Sequence, residues 1–299
     1  MKWLVLAGLA VAAIAYFLPR DATELVLADG DRGIADEETV VRLKHFSIPE
    51  YPSGRPRQYL SEVKVSGDGG DSWQEAVVSV NHPLRVNGWW IYQSGFSADR
   101  AGRLLAQLKC VREPFFPLAV AGWVLALVGA AGACLFSRLP PPEAAPSRRR
   151  RIASYVLALA AACLPLFIIG RSVLRPEPVP ALQSWLLAPH AGAYAASYLI
   201  LLSAAFGVGR RLMPLGFFLM TAGLVLGAWW GKLAWGAWWQ CDPKELWSLA
   251  TWAAYACWLF AAGRPKAEFA FRVLCAILAV LTLTWVNFSK LFAGLHSYA

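Results

Sequence analysis

Long apolar runs with almost no charge constrain this chain more than any other feature of its sequence. The runs are Trp3–Leu18, Phe115–Phe136, Ile152–Gly170, Ala191–Val208, Met213–Trp230, Pro243–Ala262 and Val273–Ala293. A helix needs about 20 such residues to cross a hydrocarbon core of about 30 Å. The chain is 58% hydrophobic and 16% charged, whereas soluble domains are about 45–50% apolar and about 25% charged. The sequence therefore predicts a polytopic α-helical membrane protein with about seven transmembrane helices.

The basic residues favour one orientation of these helices. The formal net charge is +9, which by itself suits a nucleic-acid-binding protein. The arginines, however, adjoin apolar runs in "SRRRRIAS" and "GRRLM", as they do in cytoplasmic loops of membrane proteins. With Lys2 inside, every short basic loop is cytoplasmic, and residues 21–112, the 171–190 loop, the tryptophan-rich loop and the C-terminal tail lie outside. We therefore predict the lipid bilayer as a partner and exclude nucleic acid.

The one sizeable polar stretch, residues 21–112, has the pattern of β-strands. Two alternating runs flank Asp-Gly-Gly-Asp in "SEVKVSGDGGDSWQEAVVSV", and Asn87-Gly88 separates apolar strands in "PLRVNGWWIYQSGF". Asn-Gly between alternating strands is a strong hairpin signal. We expect a small antiparallel β domain, inserted between helices and lying on the extracytoplasmic side.

The predicted organisation has five parts. They are an N-terminal membrane anchor (1–20), the β-rich domain (21–112), a transmembrane helix (113–137), a cytoplasmic Pro/Arg-rich linker (138–151) and a helical domain (152–299). The first part is also compatible with a cleaved signal peptide, since Ala13-Ile-Ala15 resembles a cleavage site. We favour an uncleaved anchor because apolar residues continue past that point.

Five tryptophans are concentrated in residues 229–239 of the segment "GAWWGKLAWGAWWQCDPKELW", and their functional meaning is the central question. They are Trp229, Trp230, Trp235, Trp238 and Trp239. Asp242, Pro243 and Glu245 form a helix-capping signature, which by itself accounts for the two acids. An interfacial aromatic belt needs fewer tryptophans. Such a platform suits a flat conjugated ligand, and Lys232 and Lys244 suit its carboxylates; haem has this profile.

Two of the four histidines are expected to lie beside this tryptophan-rich segment. His190 stands where an apolar run enters the membrane from outside, and His296 follows the last run on the same side. We predict that they are the axial ligands of the haem iron, although two ordinary interfacial histidines remain an alternative. His45 and His82 are expected to be surface or turn residues.

The six cysteines are scattered singly, without Cys-x-x-Cys. This excludes a dithiol oxidoreductase and a c-type cytochrome. Cys110 and Cys241 are both expected near the outer face, so a pairing between them remains open.

The segment "WGKLAWGAWWQCDPKELWSLATWAAYA" closely resembles the tryptophan-rich WWD signature of proteins that handle haem in cytochrome c biogenesis. "LQSWLLAPHAGAYAASY" and "GLHSY" resemble the histidine-bearing segments of the CcsA/ResC branch, and "VNHPLRVNGWWIYQSGF" resembles the end of the CcsB/ResB extracytoplasmic domain. The chain thus resembles a shortened fusion of the two halves of a system II cytochrome c synthase.

The resemblance implies a bacterial inner-membrane protein that holds haem b as a bound substrate on its periplasmic face. It implies an apocytochrome c with a Cys-x-x-Cys-His motif, whose thiols add to the haem vinyl groups, and a thioredoxin-like thiol reductant. Such a protein is a holocytochrome c synthase (haem lyase) or a subunit of one, working by positioning. The alternative is a non-catalytic haem carrier. A small-solute transporter is disfavoured because no run is charged or broken near its midplane.

The sequence departs from the family pattern in its membrane runs. Phe260 stands where the family carries a transmembrane histidine, and none of the seven apolar runs named above contains one. The CcsB-like half also lacks further membrane helices. We therefore expect a second membrane subunit.

Overall fold

The computed structural model describes residues 2–137 and 176–284, together with residues 139, 147–149, 152–156, 159 and 163. Its helices are α1 (Lys2–Phe17), α2 (Phe116–Phe136), α3 (Leu187–Ala205), α4 (Met213–Trp235), α5 (Pro243–Phe260) and α6 (Pro265–Leu283). Its strands are β1 (Asp21–Leu27), β2 (Arg32–Ile34), β3 (Val40–Ser47), β4 (Leu60–Ser66), β5 (Gln74–Ser79), β6 (Leu84–Val86), β7 (Trp89–Ala98) and β8 (Leu104–Arg112).

The eight strands form two four-stranded antiparallel sheets. The strand orders are β1-β8-β7-β6 and β2-β3-β4-β5. Inward-facing side chains of both sheets form one apolar core, in which Leu43, Val63, Ile91 and Leu108 have no exposed surface. Strands with one buried face alternate apolar and polar residues, which is why the pattern of this stretch was readable from sequence.

Both predicted hairpins are present. β4 pairs with β5 across the Asp-Gly-Gly-Asp segment, and β6 pairs with β7 across Asn87-Gly88. Asn87 and Gly88 have φ angles of 47° and 82°. Two consecutive positive φ angles are the requirement of a type I′ turn, and asparagine and glycine meet it at the lowest cost.

The two outer cysteines are not paired. Cys110 and Cys241 are both free thiols, and Cys110 is fully buried in the sandwich core whereas Cys241 is exposed. Burial raises the pKa of the Cys110 thiol to about 12, so it packs as a small neutral apolar side chain. A pairing of Cys110 with Cys241 is therefore wrong for this structure.

The helices correspond to most of the predicted apolar runs, with shifted ends. α4 continues five residues beyond the predicted end at Trp230, and α6 begins at Pro265 instead of Val273. Helix ends depend on capping and packing, which hydropathy does not report. The run Ile152–Gly170 lies largely outside the described residues.

Two helices of the described part are long and apolar enough to cross a membrane. They are Phe116–Phe136 and the segment Arg210–Trp235. The apolar helix at the N-terminus, Trp3–Phe17, is shorter. The structure thus supports two of the predicted spans by length and composition, and the number seven stays a prediction.

The β sandwich contacts the segment that leads into α3 and the end of α4 that carries the tryptophans. Tyr51 donates a hydrogen bond to the Pro178 carbonyl at 3.1 Å, and Gln183 donates one to the Arg57 carbonyl at 2.5 Å. At the other end of α4, Arg210 forms an ion pair with Glu268. Trp230 follows Arg210 by twenty positions, which is about 30 Å along a helix axis.

Candidate functional site

The tryptophan-rich segment is mostly helix. α4 carries Trp229, Trp230 and Trp235, and it ends at Gly236, whose φ is 76°. A Cβ atom at Gly236 would lie 3.0 Å from the Tyr92 ring, so glycine is required there both by conformation and by space. The prediction of one loop holding five tryptophans is therefore wrong, since only Trp238 and Trp239 lie beyond the helix.

The five tryptophans do not form an open platform. Trp230 and Trp238 are only 3% and 5% exposed, while Trp229, Trp235 and Trp239 are half-buried. Ring centroids lie 5.4 Å apart for Trp229–Trp238 and 5.8 Å apart for Trp230–Trp235. These are distances of directly packed aromatic pairs. Part of the aromatic surface therefore holds the protein together and is unavailable to a ligand.

Trp230 connects the helical part to the β sandwich. Its indole N–H donates to the Asn81 side-chain oxygen at 3.1 Å and lies 3.2 Å from the Ala181 carbonyl. The Asn81 amide donates to the Pro180 and Ala181 carbonyls at 3.0 and 3.1 Å. Buried polar groups need such partners, and Asn81 satisfies groups of two other chain segments at once.

His190 lies directly beside Trp230, at the start of α3. Its ring centroid is 5.7 Å from that of Trp230, and Nδ1 donates to the Gly223 carbonyl at 2.9 Å. A Cβ atom at Gly227 would lie 2.7 Å from the His190 ring. Gly227 thus provides the space in which the imidazole lies, and Gly223, one turn earlier on α4, accepts its hydrogen bond. His296 lies outside the described residues, and so does the geometry of the predicted axial pair.

Lys232 does not serve as an outward-facing cation. It is 1% exposed, and its Nζ lies 2.8 Å from Glu113 Oε2 in an ion pair. The same nitrogen is 5.5 Å from the Tyr92 ring centroid and 5.7 Å from that of Trp90. Because the ion pair and the two ring faces surround this ammonium, the assignment of Lys232 to a ligand carboxylate is wrong for this structure.

Asp242 and Lys244 begin α5. The Asp242 side chain accepts the Lys244 backbone N–H at 2.9 Å, and the Glu245 side chain accepts the Asp242 N–H at 3.2 Å, which completes the predicted capping box. Asp242 therefore has a structural role as the cap of α5, through Oδ1. Lys244 is half-buried at the helix start.

Sequence reasoning missed the contribution of the β sandwich to this region. Asn81, Glu113 and Tyr92 all contact the end of α4 or its flanking segments. One signal was available for Glu113, because it is a lone acid at the start of one apolar run while Lys232 is a lone base near the end of another.

His45 and His82 are surface and turn residues as predicted. A hydrogen bond to Asp29 and the negative charge of Asp29 raise the pKa of His45.

The fold and the site together define a two-module protein, in which a β sandwich contacts the tryptophan- and histidine-bearing end of apolar helices. Residues 20–109 match the ResB-like family, and residues 207–296 match the family described as cytochrome C assembly protein. The chain thus combines a ResB-like part with a part that matches the cytochrome C assembly family, which is the arrangement of a system II ResB/CcsA fusion.

Curated proteins named as cytochrome c biogenesis protein CcsA share part of this sequence. The cytochrome c biogenesis protein CcsA of Prochlorococcus marinus (strain MIT 9303) is 41% identical over 94 residues, 29% of this chain and 28% of that protein. CcsA of Gloeobacter violaceus is 44% identical over 94 residues, 29% of this chain and 27% of that protein. CcsA of Hordeum vulgare is 32% identical over 139 residues, 45% of this chain and 39% of that protein. The chain therefore spans less than two fifths of the length of these relatives.

Proposed function

We propose that this chain binds haem at the extracytoplasmic face of a bacterial inner membrane and presents it for covalent attachment to apocytochrome c. The observation that carries the proposal is the setting of His190, whose ring lies against Trp230 and whose Nδ1 donates to the Gly223 carbonyl. A neutral imidazole that donates from Nδ1 has its lone pair on Nε2, which is the nitrogen that ligates iron. The relatives' assignment to cytochrome c biogenesis supports this reading.

The remaining ligand contacts follow from haem chemistry. His296 is the second axial ligand in this proposal, and the half-buried Trp229, Trp235 and Trp239 supply aromatic surface for the macrocycle. Lys244, in the first turn of α5, binds a propionate in this proposal. Lys232 does not, because it forms an ion pair with Glu113. An apolar macrocycle with two carboxylates needs this combination of flat surfaces and cations.

The protein's contribution to the reaction is positioning. Each apocytochrome thiol adds its S–H across a haem vinyl group, so a C–S bond forms, the proton goes to the other vinyl carbon and nothing is oxidised. Holding haem and peptide together removes the entropic cost of a bimolecular encounter. The thiols must be reduced beforehand, so we propose a thioredoxin-like reductant as a further partner.

An optical spectrum of the purified protein tests the proposal. We expect b-type haem with a low-spin, two-histidine spectrum. His190→Ala and His296→Ala should each lose that low-spin signal, and added imidazole should restore it. The ring nitrogens of the two ligands should be about 4 Å apart, twice a metal–imidazole bond of about 2 Å.

His45→Ala is the matched control, because His45 is an exposed sandwich residue bonded to Asp29 and should leave the spectrum unchanged. Unaltered spectra in both axial variants would remove the axial pair from consideration.

A further inference from the structure

The longest strand of the sandwich has an incompletely paired side. β6 covers β7 only from Trp89 to Ile91, whereas β8 pairs with β7 along its length to Ala98. Within the part of the chain that the structure describes, residues 92–98 of β7 have no strand on the side away from β8. Alternate residues of such a stretch direct their N–H and C=O groups away from the sheet.

Two side chains near this edge show that it is only partly satisfied within the protein. The Gln93 side-chain amide donates to the Gly95 carbonyl at 2.7 Å, across a register irregularity between these two residues. Phe96 is 41% exposed, and its ring centroid lies 5.3 Å from that of Tyr59. The edge therefore combines main-chain groups with an exposed aromatic surface.

A cavity of about 330 Å³ borders this edge at residues 93–95 and lies between the two modules. Gln93, Ser94 and Gly95 line its sandwich side, together with Arg55 and Tyr59. Residues 179–181 and the α4 residues Ala234 and Trp235 line its helical side. Trp235 in turn packs on Trp230, which also packs against His190. The side chains of Trp235 and Trp230 therefore lie between a ligand in this cavity and His190, the proposed iron ligand.

We propose that an extended segment of apocytochrome c adds to β7 as a further strand along residues 92–98, with its haem-attachment motif directed toward Trp235. The proposal rests on the function proposed above. Seven strand residues span about 23 Å, and the five residues of Cys-x-x-Cys-His need about 17 Å when extended. Strand addition uses the main chain for affinity and alternate side chains for specificity. This suits the apocytochrome segment, in which the two residues between the cysteines of Cys-x-x-Cys-His vary.

The shape and place of the cavity favour a single extended polypeptide as the occupant. A second copy of this chain would need a flat, open edge, but residues 179–181 and Trp235 stand on the far side of this one and leave a slot. A single extended polypeptide fits such a slot. The cavity also joins the ResB-like and CcsA-like parts, and thioether formation requires peptide and haem to meet.

Fluorescence anisotropy with the full-length protein in detergent micelles tests the proposal. The probe is a fluorescein-labelled Ser-x-x-Ser-His peptide with flanking residues, in which serine prevents thiol chemistry. Two N-methylated versions block alternate sets of peptide amides. Because only one set faces β7, one version should bind about tenfold more weakly and the other should bind like the parent peptide.

Phe96→Lys should weaken binding of the parent peptide about tenfold, since a lysine at an open edge opposes strand addition. Val77→Lys is the matched control, because Val77 is an exposed residue on β5, the edge strand of the other sheet, and should leave binding unchanged. Equal binding of both N-methylated peptides would overturn the proposal, and this readout does not depend on how the variants fold. A dimer that Phe96→Lys dissociates would overturn it too.

The two proposals fail separately. If the two N-methylated peptides bind equally while the low-spin haem spectrum is intact, strand addition is rejected and the haem function is retained. A protein without haem that still binds the peptide at the edge rejects the haem function.

Discussion

The Lys232–Glu113 ion pair shows how one buried contact aligns the two modules. Glu113 follows the last strand directly and Lys232 lies one turn before the end of α4, so their 2.8 Å contact joins the base of the sandwich to the tryptophan helix. Both groups are largely buried, with 1% and 10% of their side-chain surface exposed. Removing one member of such a pair leaves an uncompensated charge, which typically costs about 3–5 kcal/mol.

At the residue scale, we predict that Lys232→Met lowers the free energy of unfolding by about 3 kcal/mol. Glu113→Gln in the same chain should recover much of that loss, because no unpaired charge then remains. Thermal unfolding in detergent measures both. Lys44→Met is the control, since the exposed Lys44–Glu75 pair should contribute less than about 1 kcal/mol. Equal losses for Lys232→Met and the double variant would contradict the prediction.

At the element scale, α1 and α2 pack backbone against backbone. A Cβ atom at Gly8 would lie 2.3 Å from the Ala126 nitrogen, and one at Gly122 would lie 2.4 Å from the Ala12 nitrogen. Small residues allow apolar helices to approach this closely where packing is the main attraction. The spacing of glycines in these runs is therefore a packing feature, and hydropathy alone did not reveal it.

We predict that Gly122→Leu separates α1 from α2 and lowers the unfolding temperature measured in detergent, because a side chain cannot fit at a 2.4 Å contact with backbone. Gly192→Leu on α3 is the control, as nothing lies within 4 Å of a Cβ atom there. Faster proteolysis at the α1–β1 junction of the Gly122 variant should accompany the shift. Similar behaviour of the two variants would show that helix propensity, and not packing, decides the outcome.

At the scale of the whole molecule, the proposed function requires both axial histidines and the sandwich on one side of the membrane. Reporter fusions after Arg151, Arg211 and Lys266 should report the cytoplasm, and fusions after Arg112, Lys244 and Ala299 should report the outside. The basic loops motivate this orientation. A result that puts His190 and His296 on opposite faces would reject the haem site.

The route of haem to its site is a second whole-molecule question. Phe260, at the end of α5, cannot ligate iron, and moving charged propionates through a bilayer unaided is costly. We therefore predict that the chain expressed alone, in a host without its own cytochrome c machinery, matures an apocytochrome poorly even with added thiol reductant. Holocytochrome yield by haem staining measures this. Efficient maturation would favour lateral entry of haem from the membrane and reject the partner.

The sequence by itself determined the elements, because their periods are local properties of the chain. Alternation predicted the strands, Asn87-Gly88 predicted a hairpin, Asp242 and Glu245 predicted a helix start, and charge-free runs predicted the helices. The tryptophan cluster also motivated the proposed haem site, since no local structural rule requires so many large aromatic side chains.

Only the tertiary structure decided which of these residues face one another. Sequence assigned Lys232 to a ligand, but its nearest opposite charge is Glu113, distant in the chain and adjacent in space. Sequence treated the five tryptophans as one surface, but two of them are buried. Trp230 contacts Asn81 and Trp235, and Trp238 contacts Phe116 and Trp229. A cation or an aromatic face is available to a ligand only if the fold leaves it unpaired, and long-range packing, which no local pattern encodes, determines that.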